Sequence, residues 1–138
     1  MNAIKFIQQH GVDKAREVVE GATEWAFGYD YIDDDYFNGA DIQDGYSIDQ
    51  CEGCVCVDDL KRLVKGVDLI NSVGGLTIAK KITFQKRLRN EKATHFIQHP
   101  ENQKLIQLFV RNQSKPEAAI KFDLFEQAIA DYEAIYES

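Results

Sequence analysis

The chain has 138 residues and a mass of 15.7 kDa, is 44% hydrophobic and 28% charged, and contains two prolines. That composition excludes collagen-like, low-complexity and wholly disordered classes, because enough apolar side chain is present to offset chain entropy. Sixteen basic against twenty-three acidic residues give a formal net charge of −7, which opposes approach to nucleic-acid phosphates by the molecule as a whole. No apolar run nears the roughly 20 residues that cross a bilayer. The opening Met1-Asn2-Ala3-Ile4-Lys5 lacks both a basic start and a long apolar stretch. A cytoplasmic protein without membrane association is therefore expected, with its three cysteines reduced.

In chain order, Ile4, Phe6 and Ile7 share one side of a short helix, Gly11 interrupts it, and Asp13 opens a second helix that Gly21 ends. Trp25, Phe27, Tyr29 and Tyr31 recur at every second position, the period of a strand with one aromatic face. A turn-rich polar stretch runs from Asp33 to Gly45. Tyr46-Ser47-Ile48 and Cys54-Val55-Cys56-Val57 are strand candidates that pair with the first. Behind a cap at Asp58 or Asp59, Leu60, Leu63, Val64, Val67 and Ile70 repeat at helical intervals until Gly74-Gly75. A basic helix over 77–90 follows, with a strand as its alternative. Pro100 suits the first turn of a further helix bearing Leu105, Ile106, Leu108 and Phe109. Ser114-Lys115-Pro116-Glu117 reads as a capping box, leading a long last helix striped by Ile120, Leu124, Phe125, Ala128, Ile129 and Tyr132. The expected fold is a helix-dominated α+β single domain over 1–138: a helical start at 1–22, an acidic, aromatic sheet region at 23–57 and a helical region at 58–138. Its small antiparallel sheet comes from residues around 24–32 and 46–57.

Charge is distributed unevenly along this order. Residues 1–57 carry three basic side chains against twelve acidic ones, and residues 58–138 carry thirteen against eleven. No Lys or Arg stands between Arg16 and Lys61. In the later half, Lys80, Lys81, Lys86, Arg87, Arg89 and Lys92 crowd a segment opposed only by Glu91. That cluster suits a phosphate, or a partner face in the acidic half of the same molecule.

Cys51, Cys54, His95 and His99 have the local spacings of a two-cysteine, two-histidine zinc site, but forty residues separate Cys54 from His95, where a zinc finger closes over about twelve. Cysteines packed as small hydrophobes on a strand are favoured over metal. Asp34, Asn38 and Gly39 match three positions of a calcium loop, yet Tyr36 and Gly45 occupy two ligand positions, the second that of the closing glutamate. No nucleophile-base spacing and no phosphate-cradling glycine motif is present, so neither enzymatic activity nor a cofactor is expected.

The segments Asn2-Ala3-Ile4-Lys5-Phe6-Ile7, His10 to Ala22, Asp58 to Val64 with Val67-Asp68-Leu69-Ile70, and Ala128 to Glu133 resemble small proteins encoded by phages and prophages. The resemblance covers under half of the chain and implies a mobile-element origin. Small acidic phage proteins frequently bind host machinery, anti-CRISPR proteins among them. With the charge pattern, this gives an expected function: inhibition of a host nucleic-acid-handling complex through protein-protein contact, a CRISPR effector subunit being one such partner. The expected contact residues are Tyr29, Asp30, Tyr31, Asp33, Asp34, Asp35, Tyr36, Phe37, Asp41 and Asp44. Aromatics supply desolvated area there while carboxylates steer association. The competing reading makes the aromatics core and the aspartates solubilising. Two other classes stay open: a phage nucleic-acid-binding regulator using the basic 80–92 segment, and a structural or zinc-stabilised domain.

Overall fold

A computed structural model describes residues 1–39 and 51–137. The chain divides into two compact units, one formed by Met1–Lys65 with Ala134–Ser138 and the other by Gly66–Glu133. Among the described residues no helix is long and apolar enough to cross a membrane.

The first unit begins with α1 (Ala3–His10), whose free N-terminal amides are met by the Asn2 side chain accepting from Lys5 N at 2.8 Å. Gly11, at φ +89°, closes α1 by donating to Ile7 O and starts α2 (Val12–Gly21). That positive φ is what a glycine supplies at low steric cost. Ala3, Phe6, Ile7, Ala15 and Val18 are buried. The strands β1 (Gly28–Asp30), β2 (Asp35–Phe37) and β3 (Cys54–Cys56) make an antiparallel sheet in the order β2-β1-β3. The ladder continues beyond the strand ends, since Phe27 N donates to Phe37 O and Val57 N to Phe27 O. From β3 the chain enters α3 (Val57–Ser72) directly, with Asp58 and Asp59 in its first turn where the helix dipole favours negative charge.

The α+β class is therefore present, and the expected pairing is seen between Gly28–Asp30 and Cys54–Cys56. The stretch expected to be turn contains a strand, Asp35–Phe37, whose Tyr36 and Phe37 are half-buried beside β1. The candidate strand Tyr46-Ser47-Ile48 lies outside the described residues.

The second unit holds α4 (Leu76–Arg89), β4 (His95–His99), β5 (Asn102–Phe109), β6 (Ile120–Lys121) and most of α5 (Phe122–Tyr136). Its antiparallel sheet has the order β5-β4-β6. The region expected to be helical throughout thus contains a sheet. Pro100 sits in the turn between β4 and β5 rather than in a helix, and Leu105, Ile106, Leu108 and Phe109 lie on a strand. Ser114-Lys115-Pro116-Glu117 belongs to a loop before β6. It caps no helix, and Ile120 pairs with Phe96 instead of joining a helical stripe. The last helix starts at Phe122, whose amide donates to Thr94 O at 2.9 Å.

The core of this unit is aromatic. Phe96, Phe122 and Phe125 are fully buried with ring centroids 4.8 to 6.5 Å apart, surrounded by Ile70, Val73, Ala79, Ile82 and Ile106. Rings at those separations and tilts add attraction beyond burial. Replacing Phe96 by Ala should therefore cost about 3–5 kcal/mol in chemical denaturation. Leu124→Ala on α5, at a side chain 67% exposed, should stay within about 0.5 kcal/mol of wild type.

Candidate functional site

Asp30, Asp33, Asp34 and Asp35, four of the six aspartates singled out in the sequence, lie together at the turn between β1 and β2. Asp30 ends β1 and Asp35 begins β2, and the two face each other in register. The Asp30 side chain folds back over the turn, its Oδ1 accepting from Ile32 N at 2.9 Å and from Asp33 N at 3.4 Å. A short carboxylate accepting from its own chain two residues on is the usual way aspartate stabilises such a bend. Asp35 Oδ1 likewise accepts from Tyr36 N. Asp34 has φ +52°, a left-handed conformation that aspartate tolerates better than most non-glycine residues.

Beneath the turn, two tyrosines hold it in place. Tyr29 is 3% exposed and its hydroxyl donates to Asp34 Oδ1. Tyr36 donates its hydroxyl proton to Val18 O on α2 at 2.6 Å, and the two rings stand 5.1 Å apart. Tyr29 also meets the Phe6 ring edge-on, and Tyr31 meets the His10 ring tilted at 4.7 Å and the Phe6 ring edge-on at 6.3 Å. Burial pushes the Tyr29 hydroxyl well above its ordinary range, helped by the Asp34 hydrogen bond and by the nearby acidic charge. Burial and Asp34 also raise Tyr36. In both cases the neutral phenol is the form the fold accommodates.

Of the expected contact residues, Asp33, Asp34 and Asp35 are exposed, and Asp30, Tyr31, Tyr36 and Phe37 are half-buried. Asp41 and Asp44 lie outside the described residues. Tyr29 is corrected from contact to support, because a buried ring presents no surface to a partner. Phe37 covers Gly28, where an added Cβ would lie 2.2 Å from its ring. Ile32, which sequence reasoning passed over, is 63% exposed at the apex. Its signal was a lone aliphatic residue inside an aspartate run. Beside the turn, Met1, Lys5, Gln9, Tyr31 and Glu52 line an open cavity of about 300 Å³.

The four residues of the zinc alternative are not assembled as ligands. Cys51 and Cys54 are joined in a disulfide, which also corrects the expectation of three reduced cysteines; only Cys56 is free. His95 and His99 lie on β4, where His95 Nδ1 is 2.9 Å from Thr94 Oγ1 and His99 Nδ1 accepts from Glu101 N. Three of the six basic side chains at 80–92 have partners nearby. Lys80 pairs with Glu133, and Lys86 pairs with Glu126 while lying over the Phe122 ring. Arg89 donates to Ile106 O. The carboxylates paired with these lysines come from α5, not from the acidic N-terminal half. No protein-family model, curated protein or solved structure matches the chain.

The raised tyrosines set an alkaline limit on this unit. Each folded-state pKa lies above the unfolded value near 10, so the stabilisation is complete below about pH 10 and is lost as pH climbs toward the folded value. Denaturation midpoints should therefore fall above about pH 10. The fall should be shallower in Tyr29→Phe, which should lose about 1 kcal/mol at neutral pH with its hydrogen bond to Asp34.

Proposed function

We propose that this protein is a non-enzymatic binding module that docks its β1–β2 turn on a basic protein surface. The observation that carries the reading is the apex itself: exposed Ile32 flanked by the exposed carboxylates of Asp33, Asp34 and Asp35, on a turn held from beneath by Tyr29 and capped by Asp30. A turn already ordered in the free protein loses little entropy on binding, an aliphatic tip gives area to desolvate, and carboxylates around it steer association toward Arg and Lys. Among the described residues, none of Asp33, Asp34 and Asp35 forms an ion pair within the protein. Their charge is thus available to an external partner.

The resemblance to phage and prophage proteins narrows this proposal to a host nucleic-acid-handling complex, whose protein subunits carry basic surfaces. Inhibition of a CRISPR effector by occupation of such a surface is its sharpest form. The local pairing of Lys80 and Lys86 with α5 carboxylates supports this reading over a regulator that binds nucleic acid through residues 80–92.

Affinity capture from host lysate, followed by binding kinetics on the recovered subunit, tests the reading. Changing Asp33, Asp34 and Asp35 together to Asn preserves side-chain size and acceptor oxygens, so Tm should be unchanged or raised. The association rate at low salt should drop by about tenfold and its salt dependence should flatten. Ile32→Ala should act mainly by faster dissociation. Wild-type rates in the triple variant across salt concentrations would remove the turn from the interface.

A further inference from the structure

The turn leading into β3 places two sulfurs beside the carboxylate that caps the acidic hairpin. Asp30 pairs with Cys54 in the β1–β3 register, and Tyr31 N donates to Gly53 O at 3.0 Å, so the Cys51–Cys54 turn is tied by backbone to the residues that open the β1–β2 turn. One ligand atom from each of Asp30, Cys51 and Cys54 lies within 4.8 Å of the others. Gly53 keeps this arrangement open, since a Cβ there would stand 2.7 Å from Asp30 Oδ1 and 2.8 Å from the Ile32 side chain. While the sulfurs are bridged they have no thiolate to offer.

We propose that Asp30, Cys51 and Cys54 form a redox-gated site for a thiophilic divalent cation, zinc in the first instance, that is closed in the disulfide form and opens on reduction. The opening step is thiol–disulfide exchange with a dithiol reductant. The reductant's thiolate attacks one sulfur of the bridge, the mixed disulfide is resolved by its second thiol, and two electrons and two protons pass to Cys51 and Cys54 as the reductant becomes a disulfide. Cys51, half-buried, is the more accessible sulfur, and Cys54 is 7% exposed. The cation then displaces one proton from each thiol and takes the Asp30 carboxylate as its third ligand.

Ligand chemistry selects the ion. Two thiolates and one carboxylate suit zinc and disfavour calcium or magnesium, which prefer all-oxygen sets. Ligands at zinc distances of 2.0–2.3 Å stand about 3.3–3.8 Å apart in a tetrahedron, so on reduction the two sulfurs, no longer bonded, separate to that spacing while the Asp30 carboxylate closes on them by about 1 Å. Three protein ligands leave the fourth position to water or to a donor from outside. Asp30 holds the hairpin turn through Oδ1, so a cation on the same carboxylate touches the turn geometry directly. This inference stands on the cluster alone and does not depend on the partner reading.

Cobalt serves as the probe because its tetrahedral thiolate complexes absorb visibly. The full chain, reduced with a phosphine and freed of excess reductant under inert gas, should bind one Co²⁺ with sulfur-to-metal charge-transfer and intense d–d bands, and zinc should displace it. The oxidised chain, verified by a count of one reactive thiol, should give neither band. Cys51→Ser should abolish the spectrum, Asp30→Asn should weaken binding by about tenfold or more, and Cys56→Ser should leave it intact. Failure of the reduced wild type to bind overturns the proposal without recourse to any variant. So does equal binding by the oxidised chain, or a spectrum that persists in Cys51→Ser, is unmoved by Asp30→Asn or vanishes in Cys56→Ser.

Discussion

A strand of three residues paired on both edges is the constraint from which the rest of the first unit follows. Gly28, Tyr29 and Asp30 hydrogen-bond to Asp35–Phe37 on one side and Cys54–Cys56 on the other, so none of the three has room to serve only itself. Gly28 has no side chain because the Phe37 ring lies where one would be. Tyr29 turns inward against Phe6 and reaches Asp34 with its hydroxyl. Asp30 ends the strand, and its side chain folds back to cap the turn. A strand this short has few ladder bonds of its own, and it persists because buried side chains and turn carboxylates act together. The position of every carboxylate at the apex is inherited from that arrangement.

The two units satisfy their charge differently. In the second, lysines of α4 meet glutamates of α5 at 3.7 Å, each pair partly exposed to water. Such pairs contribute little stability one by one, yet they offset part of the charge of a crowded basic helix. In the first unit the aspartates of the turn are satisfied by amides and by a phenol: Asp30 and Asp35 accept from the backbone, and Asp34 from Tyr29. Hydrogen bonds of this kind fix a carboxylate in place without cancelling its charge. The same residues therefore shape the loop and project a field from it.

The legible parts of the sequence were those with one period and one terminator. The helices over Ala3–His10, Val12–Gly21 and Val57–Ser72 follow apolar spacing and glycine breaks, whereas Leu76–Arg89 has no single apolar face, Leu88 being 70% exposed, and its sequence left a strand open. Residues 102–109 misled because Leu105, Ile106, Leu108 and Phe109 satisfy helical spacing as well as a strand with irregular burial; the register shift between Gln98 and His99 disturbs the alternation that would have revealed the hairpin. Pro100 starts a turn as readily as a helix. The serine-to-glutamate spacing at 114–117 carries the letters of a cap with an apolar stripe behind it, but β6 at Ile120–Lys121 takes the start of that stripe and the helix begins only at Phe122. At the site, clustered aspartates were visible from composition, whereas the burial of Tyr29, the exposure of Ile32 and the neighbourhood of Asp30 and Cys54 arise from pairing between segments far apart in the chain. A C-x-x-C spacing is equally that of a bridge and of a metal pair, and only the surrounding side chains distinguish what else can join it.

The left-handed backbone at Asp34 gives this hairpin a division of labour useful for engineering. Asn or Gly would relieve the conformational cost there, but only a residue with an acceptor oxygen at that reach keeps the phenol beneath it satisfied. Positions 32 and 33 are under no such double demand, whereas Asp35 also belongs to β2 and accepts from Tyr36 N. The turn is thus a small display scaffold with fixed posts at 34 and 35 and two variable positions, on which binding sequences can be randomised while the loop keeps its shape.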